Sequence, residues 1–122
     1  MNAINWFEIP VADFARAVAF YERILATQLP TDASFPGIRM AVFPMQEPGV
    51  GGCLVECEQS RPHADGARVY LNGGDDLAAI LARVDAAGGR VVVPKTLIRD
   101  DVGHFALFAD SEGNVVGLHS PH

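Results

Sequence analysis

One short pattern occurs twice in this chain, and it constrains the fold more than any other feature. A hydrophobic stretch ending at Pro10 leads to Asp13 and then to an amphipathic run through Tyr21. A second hydrophobic stretch ending at Asn72 leads to Asp76 and a matching run through Val84. Setting Asp13 on Asp76 gives an offset of 63 residues and brings Phe14 onto Leu77, Ala15 onto Ala78, Val18 onto Leu81 and Ala19 onto Ala82. A strand, an acidic helix cap and a helix therefore recur at about half the chain length. Two copies are too few for a solenoid, so a pair of equivalent modules is the expected architecture.

Local signals extend the pattern. Aromatic and β-branched residues predict a strand over 4–9, and Asp13 with Phe14, Val18, Tyr21 and Leu25 predicts a helix over 14–25. Pro30, Pro36 and Gly37 mark a loop. Further strands are expected over 38–43 and 53–58, with the glycine-rich residues 49–52 as a flexible bend. That bend lacks the lysine and helix start of a phosphate loop. Residues 60–66 form a polar link. The second copy predicts a strand over 67–72 and a helix from Asp76 that stops at Gly88 and Gly89. A short strand over 91–93 ends at Pro94. A terminal hairpin, 104–109 and 114–119, closes around the turn Asp110-Ser111-Glu112-Gly113. The order is βαβββ twice, an α+β fold in which two tandem modules form a curved mixed sheet with a concave cavity. Module 1 is expected over about 1–59 and module 2 over about 67–122.

Composition bounds the function. A chain of 122 residues with 49% hydrophobic and 20% charged side chains suits a single folded domain. A net charge of −6 argues against a nucleic-acid partner, whose phosphates call for a basic surface. No apolar run is long enough to span a bilayer. The first residues lack the basic-then-apolar order of a signal peptide, so a cytoplasmic location is expected. Cys53 and Cys57, four apart on a strand, would lie about 13 Å from each other. That is beyond disulfide reach, and both read as small buried hydrophobes. No Ser-His-Asp order or nucleophile elbow points to covalent catalysis.

Three features together resemble the vicinal oxygen chelate superfamily, the glyoxalase/bleomycin-resistance/extradiol-dioxygenase fold. They are Val11-x-Asp13 followed by Ala17-x-x-Phe20-Tyr21, the terminal Asp110-Ser111-Glu112-Gly113-Asn114, and the duplication itself. The resemblance covers essentially the whole chain. It implies a cupped sheet and, in many members, a divalent metal held by His and Glu side chains from four strands. The metal chelates substrate oxygens there, which requires hard or borderline ligands and open coordination positions. Carried over residue by residue, the first-strand ligand falls on Trp6. Its counterpart in the second copy falls on Val69, and the last-strand ligand falls on Gly117. None of these side chains ligates. Glu56 matches the remaining ligand by type only. The resemblance therefore implies a member without the usual metal and without a cofactor.

Strand parity supplies substitutes. Side chains two apart share a face, so Glu8 accompanies Trp6 and His119 accompanies Gly117. A carboxylate and an imidazole on one concave face suit general acid–base chemistry, and Glu8 and His119 are the candidate catalytic pair. Structural ion pairing is the competing reading for both. Trp6, Val69, His104 and Gly117 are the candidate ligand contacts, with Trp6 able to stack on a flat or cationic molecule. Phe7 and Tyr70 have the opposite parity and are expected under the helices. The expected function is binding of a small organic molecule in the cup. The alternative is a glyoxalase-related lyase or isomerase using Glu8 and His119, with or without a non-standard metal site that draws on Glu56 or His104. A homodimer is the expected assembly, and the third reading is a domain that serves mainly to pair through its sheet edges.

Overall fold

The computed structural model describes residues 2–122. Its strands and helices are β1 (Trp6–Pro10), α1 (Phe14–Leu25), β2 (Thr31–Asp32), β3 (Arg39–Val42), β4 (Gly51–Glu56), β5 (Tyr70–Asn72), α2 (Ala78–Leu81), α3 (Val84–Ala87), β6 (Arg90–Arg99), β7 (Gly103–Ala109) and β8 (Val115–Ser120). They form two four-stranded mixed sheets, ordered β1-β4-β3-β2 and β5-β8-β7-β6. In each sheet the first strand of the module pairs in parallel with the last, and the other neighbours are antiparallel. The expected α+β architecture of two βαβββ units is the observed one.

α1 forms where its sequence directs it. Asp13 takes an extended conformation and its side chain accepts the Arg16 amide, which satisfies a first-turn donor. Phe14, Ala17, Phe20, Tyr21 and Ile24 then fall on one buried stripe. The second helix of the repeat is divided into α2 and α3. Between them Arg83 donates its Nε to the Ile24 carbonyl at the end of α1. Gly88, with φ at 108°, closes α3 in the left-handed region that glycine tolerates.

One hydrophobic core serves both sheets. Phe20 and Tyr21 of α1 pack against Phe108 of β7, and Tyr21 meets Phe43 edge-on. Leu54, Leu71, Leu77, Val84 and Leu118 complete the same cluster. β6 runs through Pro94, where a strand was expected to end. It is an edge strand with three register shifts, so the missing amide hydrogen breaks no ladder bond on both sides. No helix among the described residues is long and apolar enough to cross a membrane.

Candidate functional site

The two sheets each lay an aromatic ring over a glycine on the face turned away from the helices. In the first, Trp6 lies opposite Gly51 and Glu8 opposite Cys53. In the second, Tyr70 lies opposite Gly117 and Asn72 opposite His119. Each aromatic ring covers its glycine. A Cβ placed on Gly51 would stand 3.2 Å from Trp6 Cζ3, and one on Gly117 would stand 2.3 Å from Tyr70 Cδ2. The missing side chains are what let both rings lie flat across the neighbouring strand. Trp6 is nevertheless 46% exposed and Tyr70 51%, unusual for residues of their size within strands.

Tyr70, not Val69, thus shares the outer face of Trp6, and its counterpart in the ladder is Glu8, since Glu8 precedes Ile9 opposite Leu54 as Tyr70 precedes Leu71 opposite Leu118. The offset of 63 holds at the helix starts, where the Phe14 and Leu77 amides donate to Glu56 and Ser120, but the turn between β5 and Asp76 is one residue longer than the turn between β1 and Asp13. Side chains alternate along a strand, so one residue reverses the face. Val69 sits partly buried against the core, on the side of Leu71, and also lines a cleft shared with Trp6, while Tyr70 does not pack under the helices. Phe7 packs on the helix side as expected, against Phe43 at 5.5 Å between ring centres.

Two further residues face away from this surface. His104 pairs with Ser120, whose buried hydroxyl accepts the Leu77 amide. It shares that helix-side parity, and its Nδ1 is shielded without a hydrogen-bond partner. Glu56 also faces the helices, where it accepts from Arg39 and from the Phe14 amide. Both were expected within reach of the cup.

Glu8 and His119 share the outer-face parity of Trp6 and Gly117, but no hydrogen bond joins them. Glu8 accepts a long bond of 3.4 Å from the Trp6 indole and lines a cavity of about 160 Å³ with Arg61, His63 and Asn114. His119 contacts the Val102 carbonyl through Nε2 at 2.7 Å and lines a shallow depression with Tyr70, Ile98 and Phe105. Cys53, beside Glu8, is fully buried. Burial, with the Glu8 charge adding to it, pushes its thiol up to about 11. The donor set does not fit a divalent ion. Among the described residues no three His, Cys, Asp or Glu side chains are grouped to hold one, and the positions facing each other across the sheets are held by Trp6, Tyr70 and two glycines.

A cleft of about 750 Å³ lies between the free edges of β1 and β5. Trp6 and Tyr70 line it, and Phe7, Phe43, Leu25 and Ile80 contribute apolar surface. A few polar groups within a mostly apolar wall are the usual makings of a small-molecule site. Sequence reasoning missed Tyr70, Asn72 and Arg68 here. The signal was parity: Tyr70 lies six residues before Asp76, whereas Glu8 and Trp6 lie five and seven before Asp13.

The sequence profile of the glyoxalase/bleomycin resistance protein/dioxygenase superfamily matches residues 3–118. The chain belongs to this superfamily. Solved structures agree on the fold. TnmS3, an antibiotic binding protein from Streptomyces sp. CB03234, is 28% identical, with a TM-score of 0.73, over 100% of this chain and 98% of its own. A glyoxalase/bleomycin resistance protein from the same strain is 29% identical, with a TM-score of 0.66, over 94% of this chain and 97% of its own. A maize glyoxalase I mutant is 20% identical, with a TM-score of 0.71, over 95% of this chain but 45% of its own. That superfamily member carries the likeness of fold alone. The sequence matches no curated protein.

Proposed function

We propose that this superfamily member binds a small organic molecule, of the antibiotic kind that TnmS3 is named for, without a divalent metal. The single observation that carries the reading is the pair of exposed rings, Trp6 and Tyr70, each laid over a glycine and both lining one large apolar cleft. Rings held flat at a cavity wall gain contact area with a planar ligand at little entropic cost. The chain is read as one domain, with modules over about 1–59 and 67–122 joined by residues 60–66, acting in the cytoplasm.

The protein acts as a homodimer in this reading. Val92, Leu97 and Ile98 of the edge strand β6 leave apolar surface exposed on one chain, and surfaces of that kind favour association. Sedimentation velocity at micromolar concentration should give a dimer, and a monomer would reject this part.

The direct test of function is native mass spectrometry against a panel of aromatic antibiotics, with the ligand recovered and weighed. Saturable binding of an unchanged ligand is expected. Recovery of altered ligand would favour instead the lyase or isomerase reading, in which Glu8 and His119 exchange protons. That alternative rests on their common face. It predicts that Glu8→Gln and His119→Ala each abolish conversion while leaving binding intact.

A further inference from the structure

We propose that Arg68 anchors the negatively charged group of a flat aromatic ligand in the β1–β5 cleft, a refinement that rests on the small-molecule reading above. Among the described residues the cleft lining contains one charged side chain, Arg68, and no carboxylate. The chain's other cations are largely committed. Arg16, Arg39, Lys95 and Arg99 are paired with Glu112, Glu56, Asp76 and Asp101, while Arg23 and Arg83 bind the carbonyls of Ala86 and Ile24. Arg68 forms no hydrogen bond or ion pair among the described residues. A free guanidinium beside an apolar cavity is a ready partner for a carboxylate, sulfonate or phenolate, which it meets through two parallel donors.

The rest of the protein sharpens the assignment. A net charge of −6 makes the distant field unfavourable to anions, so a lone cation in a lining without carboxylates is a local reversal. Glu8, which accepts the long bond from the Trp6 indole, lines the separate smaller cavity. The backbone adds neutral donors. Gly117 donates to the Val69 carbonyl and Gly73 to that of His119, so the odd-numbered residues of this segment turn toward β8. In a parallel pair the alternate residues turn the other way, which leaves the N–H and C=O groups of Tyr70 and Asn72 on the free edge of β5. The cleft lining thus offers one positive charge, backbone groups of a free strand edge and two aromatic faces.

The chain's only tryptophan is Trp6, so its fluorescence reports on this cleft directly. Titration with 2-naphthoate, 2-naphthamide and 2-naphthylmethylammonium compares one ring system in three charge states. Naphthoate should quench Trp6 with about ten-fold or greater affinity over the amide, and the ammonium compound should bind weakest. Arg68→Gln should erase that preference, and Arg68→Lys should restore part of it. Arg68 is exposed and unpartnered, so urea unfolding of both variants should match the parent. Equal affinity for naphthoate and naphthamide, or a preference that survives in Arg68→Gln, overturns the anionic assignment and leaves small-molecule binding standing. No change in Trp6 emission with any of the three overturns the cleft as the binding site, and the Arg68 assignment with it.

Discussion

Tyr21 donates its phenolic hydrogen to Asp110 Oδ2 across 2.7 Å in the buried interior. The bond joins the helix of the first module to the turn that ends the second. Asp110 also accepts the amides of Glu112 and Asn114 through Oδ1, and the Asn114 side chain donates back to the Pro10 carbonyl. The terminal acidic turn therefore latches the two modules together. Tyr21→Phe keeps the ring packing against Phe43 and Phe108 but removes the donor. It should cost about 1–3 kcal/mol, because the buried carboxylate loses a partner. Urea unfolding of the variant measures this, and an unchanged midpoint would rule out an energetic role for the bond.

Glu112 supplies the second half of the latch, and it makes the latch sensitive to acid. Its Oε1 accepts the amides of Ala12 and Asp13, and Arg16 closes on it at 2.7 Å. Burial pushes this carboxyl up, but the Arg16 guanidinium, the Asp13 and Ala12 amides and the Ser111 hydroxyl outweigh it and hold it at about 2. The unfolded value is about 4.3. A depressed folded value contributes stability that is fully present above the unfolded value and is lost as pH falls toward about 2. Unfolding free energy should therefore decline from pH 5 to pH 2, and Glu112→Gln should be less stable at pH 7 with a flatter profile over that range. Parallel profiles for the two proteins would show that Glu112 is not the group involved.

The helices and the module repeat were legible because their signals are local. Asp13 with its buried stripe, and Gly88 after α3, act within a few residues. The facing of β5 was not legible in the same way, because helix alignment says nothing about the length of the turn before it, and one residue there exchanges Val69 for Tyr70. His104 and Glu56 were misjudged for a related reason. Their orientation depends on pairing with Ser120 and Arg39, partners 16 and 17 residues away, which a single strand pattern does not reveal. The Tyr21–Asp110 bond spans 89 residues. The residue types at both ends were visible in the sequence, but their meeting is a product of the common core.

The glycines separate structural from functional constraint. Gly103 has φ at 105°, and a Cβ there would stand 2.3 Å from the Ser120 carbonyl oxygen. Backbone cannot step aside, so Gly103→Ala should destabilise by about 1–3 kcal/mol. Gly117→Ala meets first the ring of Tyr70, whose half-exposed side chain the added methyl can push outward. Its unfolding free energy should change by less than about 1 kcal/mol, while ligand quenching of Trp6 emission weakens because the Tyr70 wall has moved. Equal destabilisation by the two substitutions would mean that the Tyr70 ring is held as firmly as backbone.

Cys53 should be chemically silent in the folded protein. Only the thiolate is an effective nucleophile, and a thiol raised to about 11 is roughly one part in a thousand ionised at pH 8. The side chain is also fully buried between strands, whereas Cys57 is partly exposed beyond the end of β4. Iodoacetamide at pH 8 should alkylate Cys57 in the native protein and leave Cys53 unmodified until urea unfolds the chain, as peptide mass spectrometry would record. Rapid native alkylation of Cys53 would mean that the sheet opens beside Glu8 on the time scale of labelling. In that case the Glu8 surface would be a mobile one, and the rigid Trp6 platform over Gly51 would lose its support.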